Sequence, residues 1–282
     1  QTCALPILDL VFDFEWSNRN LFYGLYQRTT SFFENSDMKA LGMPSQEELA
    51  LLDPYKNKLS KEVFDEAYIP PVTDGSGLNR DNLRRASTLL SEAGWKLDPR
   101  DRILKNEKGD PLIFEILIDS AAFERVAGPY VKNLKNLGIE ATIRRADPAQ
   151  FELRMKTFDF DVTVQRYSLR LTPSVELKNF WGSEAAGTDG SYNLAGISDP
   201  VVDKLIEYVI KAKTRSELVN ATRALDRVLR AGHYWVPHWF KASHHLAFWN
   251  KFSWPSQKPK YDRGALINWW YDKNKAQKYK SQ

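Results

Sequence analysis

Between residues 79 and 167 the hydrophobic period of the chain switches repeatedly from helical to strand-like, and this alternation is what most narrows the folds open to it. Asn79 caps NRDNLRRASTLLSEAGW, which places Leu83, Ala86, Leu90 and Ala93 on one face and stops at Gly94. DRILKNEKGDPLIFEILI predicts two strands around a turn at Lys108, Gly109 and Asp110. A helix from Phe123 to Leu137 ends at Gly138, and IEATIRRA alternates as a strand with a charged outer face. Asp147 caps a further helix with Pro148 at its first position, and FDVTVQRY predicts another strand. A mixed or parallel sheet flanked by helices, an α/β lobe, is the architecture that this order supports.

On either side the pattern is less regular. LDLVFDFEWSNRNLFYGLYQRTTSFF starts with alternation, read as a strand, and passes to helical spacing near Ser17, with Leu21, Leu25 and Phe32 apolar. Ser45 and Glu48 form a capping box for a short helix over 45–52. PPVTDGSG reads as a loop, and so does the whole of 168–198, a length that usually carries function. Asp199 and Pro200 open one more helix, SELVNATRALDRVLRAGHYW forms the next, and the two are expected to pack antiparallel. The rest is irregular aromatic chain that reads as a return to another domain.

Residues 1–7, QTCALPI, back-translate to cag acg tgt gct ctt ccg atc, which looks like a sequencing adapter read in frame. They are taken as an assembly scar, a genuine interior strand being the alternative. Cys3 is the single cysteine of the chain. With it discounted, disulfides and thiol catalysis are excluded.

Forty basic residues against 36 acidic ones give a net charge of +4, too slight and too evenly spread to argue for nucleic acid. Nine tryptophans among 13% aromatic residues point instead to a binding cleft. The four histidines, His233, His238, His244 and His245, fit no metal-ligand spacing. Neither a phosphate-cradling glycine loop nor a Gly-x-Ser-x-Gly turn occurs. Asp159 with Asp161, and Asp13 with Glu15, could supply the paired carboxylates of a glycoside hydrolase, so a carbohydrate-active enzyme stays open as an alternative. Arg166 and Arg170 flank Tyr167 and Ser168 where a predicted strand enters the long loop. Ligands of α/β sheets sit at such places, and a guanidinium fork there could clamp a carboxylate.

LRRASTLLSEAGW, GDPLIFEILI and LGIEATIRRADPAQFELRMKTFDFDVTV, in that order, resemble the C-terminal half of the family 5 extracellular solute-binding proteins of ABC importers. FDFEWSNRNLFYGLYQRTTSFF, FWGS, GSYNLAGISDPVVDKLI and VPHWFKASHHLAFWNKF narrow the resemblance to the Yej-type oligopeptide and microcin C receptors. It implies a lobe of the type II periplasmic binding protein fold plus a C-terminal return segment: an interlobe crossover strand at 8–16, the ligand-binding lobe at 17–245, and the return to the first lobe at 246–282. It further implies a periplasmic protein with no catalytic role and no cofactor, monomeric at full length, that closes by a hinge around an oligopeptide or modified peptide and delivers it to membrane permease subunits. The acid that pairs with a peptide's amino terminus in such receptors is replaced by Leu169 when the motifs are aligned on Pro173. The expected ligand-binding residues are Arg166, Tyr167, Tyr192, Asn193, His238, Trp239 and Phe240, with Arg166 the charged anchor.

Overall fold

A computed structural model describes residues 5–243, 245–257, 260, 265 and 267–280, and divides the chain into two compact units, Gln1–Phe240 and Lys241–Gln282. That division falls five residues before the expected boundary at 245/246.

The first unit starts with helices α1 (Leu5–Val11) and α2 (Phe14–Asn20), where a strand over 8–16 was expected. Ile7, Leu10 and Val11 have helical spacing and are all buried against Ala86, Leu90 and Leu134. The apparent Phe-Asp-Phe alternation is a helix junction. The Asp13 carboxylate accepts from the backbone N–H of Trp16 at 2.9 Å and starts α2. The helix is also shorter than its spacing suggested, because Tyr23 and Gly24 take positive φ and turn the chain before Leu25.

Then come β1 (Gln27–Arg28), α3 (Gln46–Leu52), α4 (Arg80–Glu92), β2 (Lys96–Leu97), β3 (Leu104–Lys105), β4 (Ile113–Ile118), α5 (Ala121–Asn136), β5 (Glu140–Arg145), α6 (Pro148–Lys156) and β6 (Val162–Thr163). The caps read from sequence are formed: Ser45 accepts from Glu48 N, Asn79 from Asn82 N, and Asp147 from Ala149 N and Gln150 N. Glu48 does not complete its box, because its carboxylate is drawn inward to Arg227 at 2.5 Å. The central β4 pairs in parallel with β5 on one side and β6 on the other, in register Ile116↔Ile143 and Ile116↔Val162. The expected hairpin into β4 survives as the Lys105↔Pro111 bridge.

The strand expected over FDVTVQRY is reduced to Val162–Thr163. Only two residues pair with β4, and the Thr163 hydroxyl donates to the Leu117 carbonyl at 3.2 Å, so Arg166 and Tyr167 leave the sheet. The supposed loop 168–198 contains α7 (Glu176–Trp181), whose Leu177 and Trp181 are buried in the core. After it α8 (Pro200–Lys211) and α9 (Arg215–Ala231) pack together, and β7 (Trp239–Phe240) pairs antiparallel with β1. One core gathers α3, α7, α8 and α9; another gathers α1, α4, α5 and the start of β5. In the second unit, β8 (Phe252–Ser253) pairs antiparallel with β9 (Trp270–Tyr271), and α10 (Lys273–Lys280) follows.

Candidate ligand-binding site

The nominated residues fall into two groups within the first unit. Tyr167 stacks on Trp235 with ring centroids 4.6 Å apart, and Trp235 stacks on Phe32 at 3.8 Å, giving three parallel layers. Phe180 meets Tyr167 edge-on at 5.6 Å and Tyr192 at 5.8 Å. The Tyr167 hydroxyl donates to the Tyr192 carbonyl at 3.0 Å, and burial pushes this phenol above its ordinary range. Phe32 and Trp235 also line a hollow of about 350 Å³, counting the solvent at its mouth, with Tyr68, Arg230, His233 and Pro237.

Asn193 has a scaffold role. It is 1% exposed, its amide donates to the carbonyls of Gly182 (3.0 Å) and Ile197 (2.8 Å), and its oxygen accepts from Ile197 N. Ser191, also buried, donates to Ala185 O at 2.6 Å. With both neighbours pinned inward, Tyr192 is left half exposed on the surface. Arg166 is exposed, and its backbone N–H is the group that bonds, to the Gln165 side chain. Asp161 accepts from Glu115 N at 2.9 Å, and Glu176 Oε1 has no hydrogen-bond partner among the described residues. Arg170 is exposed as well.

The second group lies on β7. His238 stacks on Trp239 at 4.9 Å and tilts against Phe12 at the same distance, while Trp239 also touches Phe22, Tyr26 and Phe123. Phe240 is partly buried opposite Gln27. Beneath these rings Arg28 pairs with Asp9 at 2.6 Å, its guanidinium carbon 5.0 Å from the Phe12 ring centre. Tyr68 donates to the other Asp9 oxygen. Burial raises the Asp9 pKa against the pull of Arg28, and lowers that of Arg28 against the pull of Asp9. Burial, with Arg28 second, brings His238 down to about 4, so the ring is neutral at physiological pH.

Sequence reading missed Trp235, Phe32, Phe180 and Arg28. Trp235 stands next to VPHWF and the aromatic density marked the region, but its partners lie far away in the chain.

Both carboxylate pairs are engaged in holding the fold. Asp13 and Glu15 are clasped by the loop after Tyr68: the Thr73 hydroxyl bonds to both, and Gly77 N donates to Asp13 at 2.9 Å. Asp159 pairs with Arg154 at 3.0 Å. His233 meets Glu62 at 3.2 Å, and His244 lies outside the described residues. Among the described residues no three His, Cys, Asp or Glu side chains converge as metal ligands would.

Residues 8–188 match the model of the bacterial extracellular solute-binding proteins, family 5 Middle. The chain is 45% identical to the uncharacterized protein y4wM of Sinorhizobium fredii, over 93% of its own length and 40% of the relative's. It is 44% identical to the probable peptide-binding protein YejA of Agrobacterium fabrum, over 94% of its length and 43% of the relative's. It thus spans less than half of the curated relatives it matches. Its fold is similar to that of the oligopeptide-binding protein AppA of Bacillus subtilis, solved with a nonapeptide, at a TM-score of 0.65 and 16% identity over 97% of this chain and 48% of that one.

Proposed function

The chain belongs to the bacterial extracellular solute-binding proteins of family 5, and on that premise we propose that it is the C-terminal, ligand-holding part of the substrate-binding component of an ABC importer for oligopeptides or peptide-like solutes. The observation that carries this reading is the wall made by Phe32, Trp235, Tyr167, Phe180 and Tyr192, with the exposed Arg166 next to Tyr167 in the chain. Flat apolar rings with a few polar groups suit side chains of varied sequence, and a planar fork of donors suits a carboxylate. The engaged carboxylate pairs speak against the hydrolase alternative, and the matched family is one of solute-binding proteins, with a relative named a probable peptide-binding protein.

In this reading the intact protein is a periplasmic monomer without catalytic activity. Its first lobe closes over the site by a hinge, the segment 246–282 returns to that lobe, and the loaded receptor docks on permease subunits. Once closure excludes water, each charge-assisted bond to Arg166 contributes about 1.5–3 kcal/mol, against about 0–1 when exposed. Arg166→Ala at the full length of the relatives should therefore weaken an anionic peptide by roughly tenfold or more. Its melting temperature should barely move, since the Arg166 side chain makes no hydrogen bond or ion pair among the described residues. Calorimetry that finds affinity intact and the unliganded protein destabilised would assign Arg166 to the scaffold.

A further inference from the structure

β7 is two residues long and lies in a two-stranded sheet with β1, paired as Gln27↔Phe240 and Arg28↔Trp239, with a further bond from Thr29 N to the His238 carbonyl at 3.2 Å. A ladder so short is marginal in water, and side chains must keep the strand in place. His238 and Trp239 do so. Their rings stack at 4.9 Å, His238 tilts against Phe12, and Trp239 reaches Phe22, Tyr26 and Phe123.

That arrangement suits a neutral imidazole. Arg28, from β1, holds its guanidinium carbon 5.0 Å from the centre of the Phe12 ring, so a charged His238 would share that ring with a second cation. The acceptors nearby are spent. Asp9 on α1 accepts from Arg28 through one oxygen and from Tyr68 through the other, and the Tyr130 hydroxyl on α5 is donated to the Leu8 carbonyl. Arg28 already keeps two N–H groups, at Nε and Nη1, without an acceptor among the described residues. Glu15 on α2 attracts Arg28, but its carboxylate is bonded to Thr73, and Tyr26 meets this stack only through its ring, against Trp239. A proton on His238 therefore adds a charge that no neighbour can take up, which agrees with a native pKa of about 4, set by burial and then by Arg28.

We propose that β7 is an acid-released strand: charging His238 frees residues 237–240 from β1 and from the rings while the core around α9 stays folded. That core has fastenings of its own, since Asp226, Arg227 and Arg230 hold the 31–42 segment and α3 through bonds that do not involve β7. The opening is local. Its effect reaches further, because Phe240 leads directly into Lys241 and the second unit. Release unties the end of the first unit from which the chain departs, and withdraws His238, Trp239 and Phe240 from it together.

Hydrogen exchange followed by mass spectrometry, on the protein at the full length of its relatives, tests this at pH 7 and pH 4.5 after correction for the intrinsic pH dependence of exchange. Between pH 6.5 and 4 each unit of acid favours the released form about tenfold. Segments 27–29 and 238–240 of the wild type should therefore lose about fiftyfold in protection. His238→Gln, and His238→Phe as a second variant that keeps a ring and cannot charge, should lose less than about fivefold. In the wild type at pH 4.5 the amides of α9 should remain at least tenfold better protected than those of β7. Protection of β7 that survives at pH 4.5 overturns the proposal, and so does an equal loss in both variants. A fall of β7 and α9 to one common level also overturns it, since the acid effect is then unfolding of the whole unit.

Discussion

Arg227→Ala is expected to remove about 3–5 kcal/mol of unfolding free energy, as loss of one partner of a buried ion pair does. Arg227 in α9 and Glu48 in α3 are 1% and 4% exposed at the side chain. The guanidinium gives Nε to Glu48 at 2.5 Å, Nη1 to the carbonyls of Gly42 and Asp65 at 3.0 and 3.2 Å, and Nη2 to that of Leu41 at 3.1 Å. Removing it strands a buried carboxylate and frees three chain segments from α9. On the same helix, the adjacent Asp226 and, one turn on, Arg230 do similar work. Asp226 accepts from the Ser31 hydroxyl and from the N–H groups of Phe32 and Ala40, and Arg230 donates to Ala40 O at 3.0 Å. The segment so fastened includes Phe32, the inner layer of the ring stack, so the loss should also loosen the site. Urea unfolding followed by tryptophan fluorescence measures the cost. The double variant Glu48→Met, Arg227→Leu should recover most of it, because no buried charge then lacks a partner. A cost under about 1 kcal/mol for the single variant would mean that water already reaches the pair.

Acidification from pH 7 to pH 4 should withdraw on the order of 3 kcal/mol of stability through His238 alone. Its native pKa is about 4, depressed first by burial and then by Arg28, against 6.5 as the ordinary value. Between the two the unfolded chain takes up a proton that the native ring refuses. The contribution of the neutral ring is therefore whole above pH 6.5, falls through the interval, and is gone below pH 4. Asp9 works in the opposite sense, since a native pKa above the ordinary carboxylate value favours the folded state as pH falls. The measurement is consequently a difference: urea unfolding of the wild type and His238→Gln at several pH values between 7 and 4. The wild type should lose on the order of 3 kcal/mol more than the variant. Parallel pH profiles would show that the ring is hydrated in the native state.

What could be read from the sequence was local. Asn79, Asp147 and Asp199 cap the helices that follow them because an N-cap needs only the next three residues, and Gly94 and Gly138 end helices with positive φ for the same reason. The parallel sheet followed from the alternation of elements. The misread stretches are those where a local pattern had two meanings. Phe12, Asp13 and Phe14 mimic a strand while spanning the junction of two helices, and α7 is six residues long, too short to show a period. The site was legible as a set of residue types and illegible as geometry. Tyr167, Trp235 and Phe32 come from three distant parts of the chain and meet only because α9 and the 31–42 segment are joined through buried charges. Asn193 is among the expected ligand-binding residues, but it and Ser191 form the inward clamp that leaves Tyr192 exposed. No sequence period reports such a contact.

The most direct test of the peptide-receptor account is mass spectrometry of the small molecules that copurify with the protein at the full length of its relatives, released by denaturation. The account predicts short peptides or peptide-containing conjugates, enriched over an equal preparation of Arg166→Ala. Glycans without amino acids, in amounts that Arg166→Ala leaves unchanged, would contradict it.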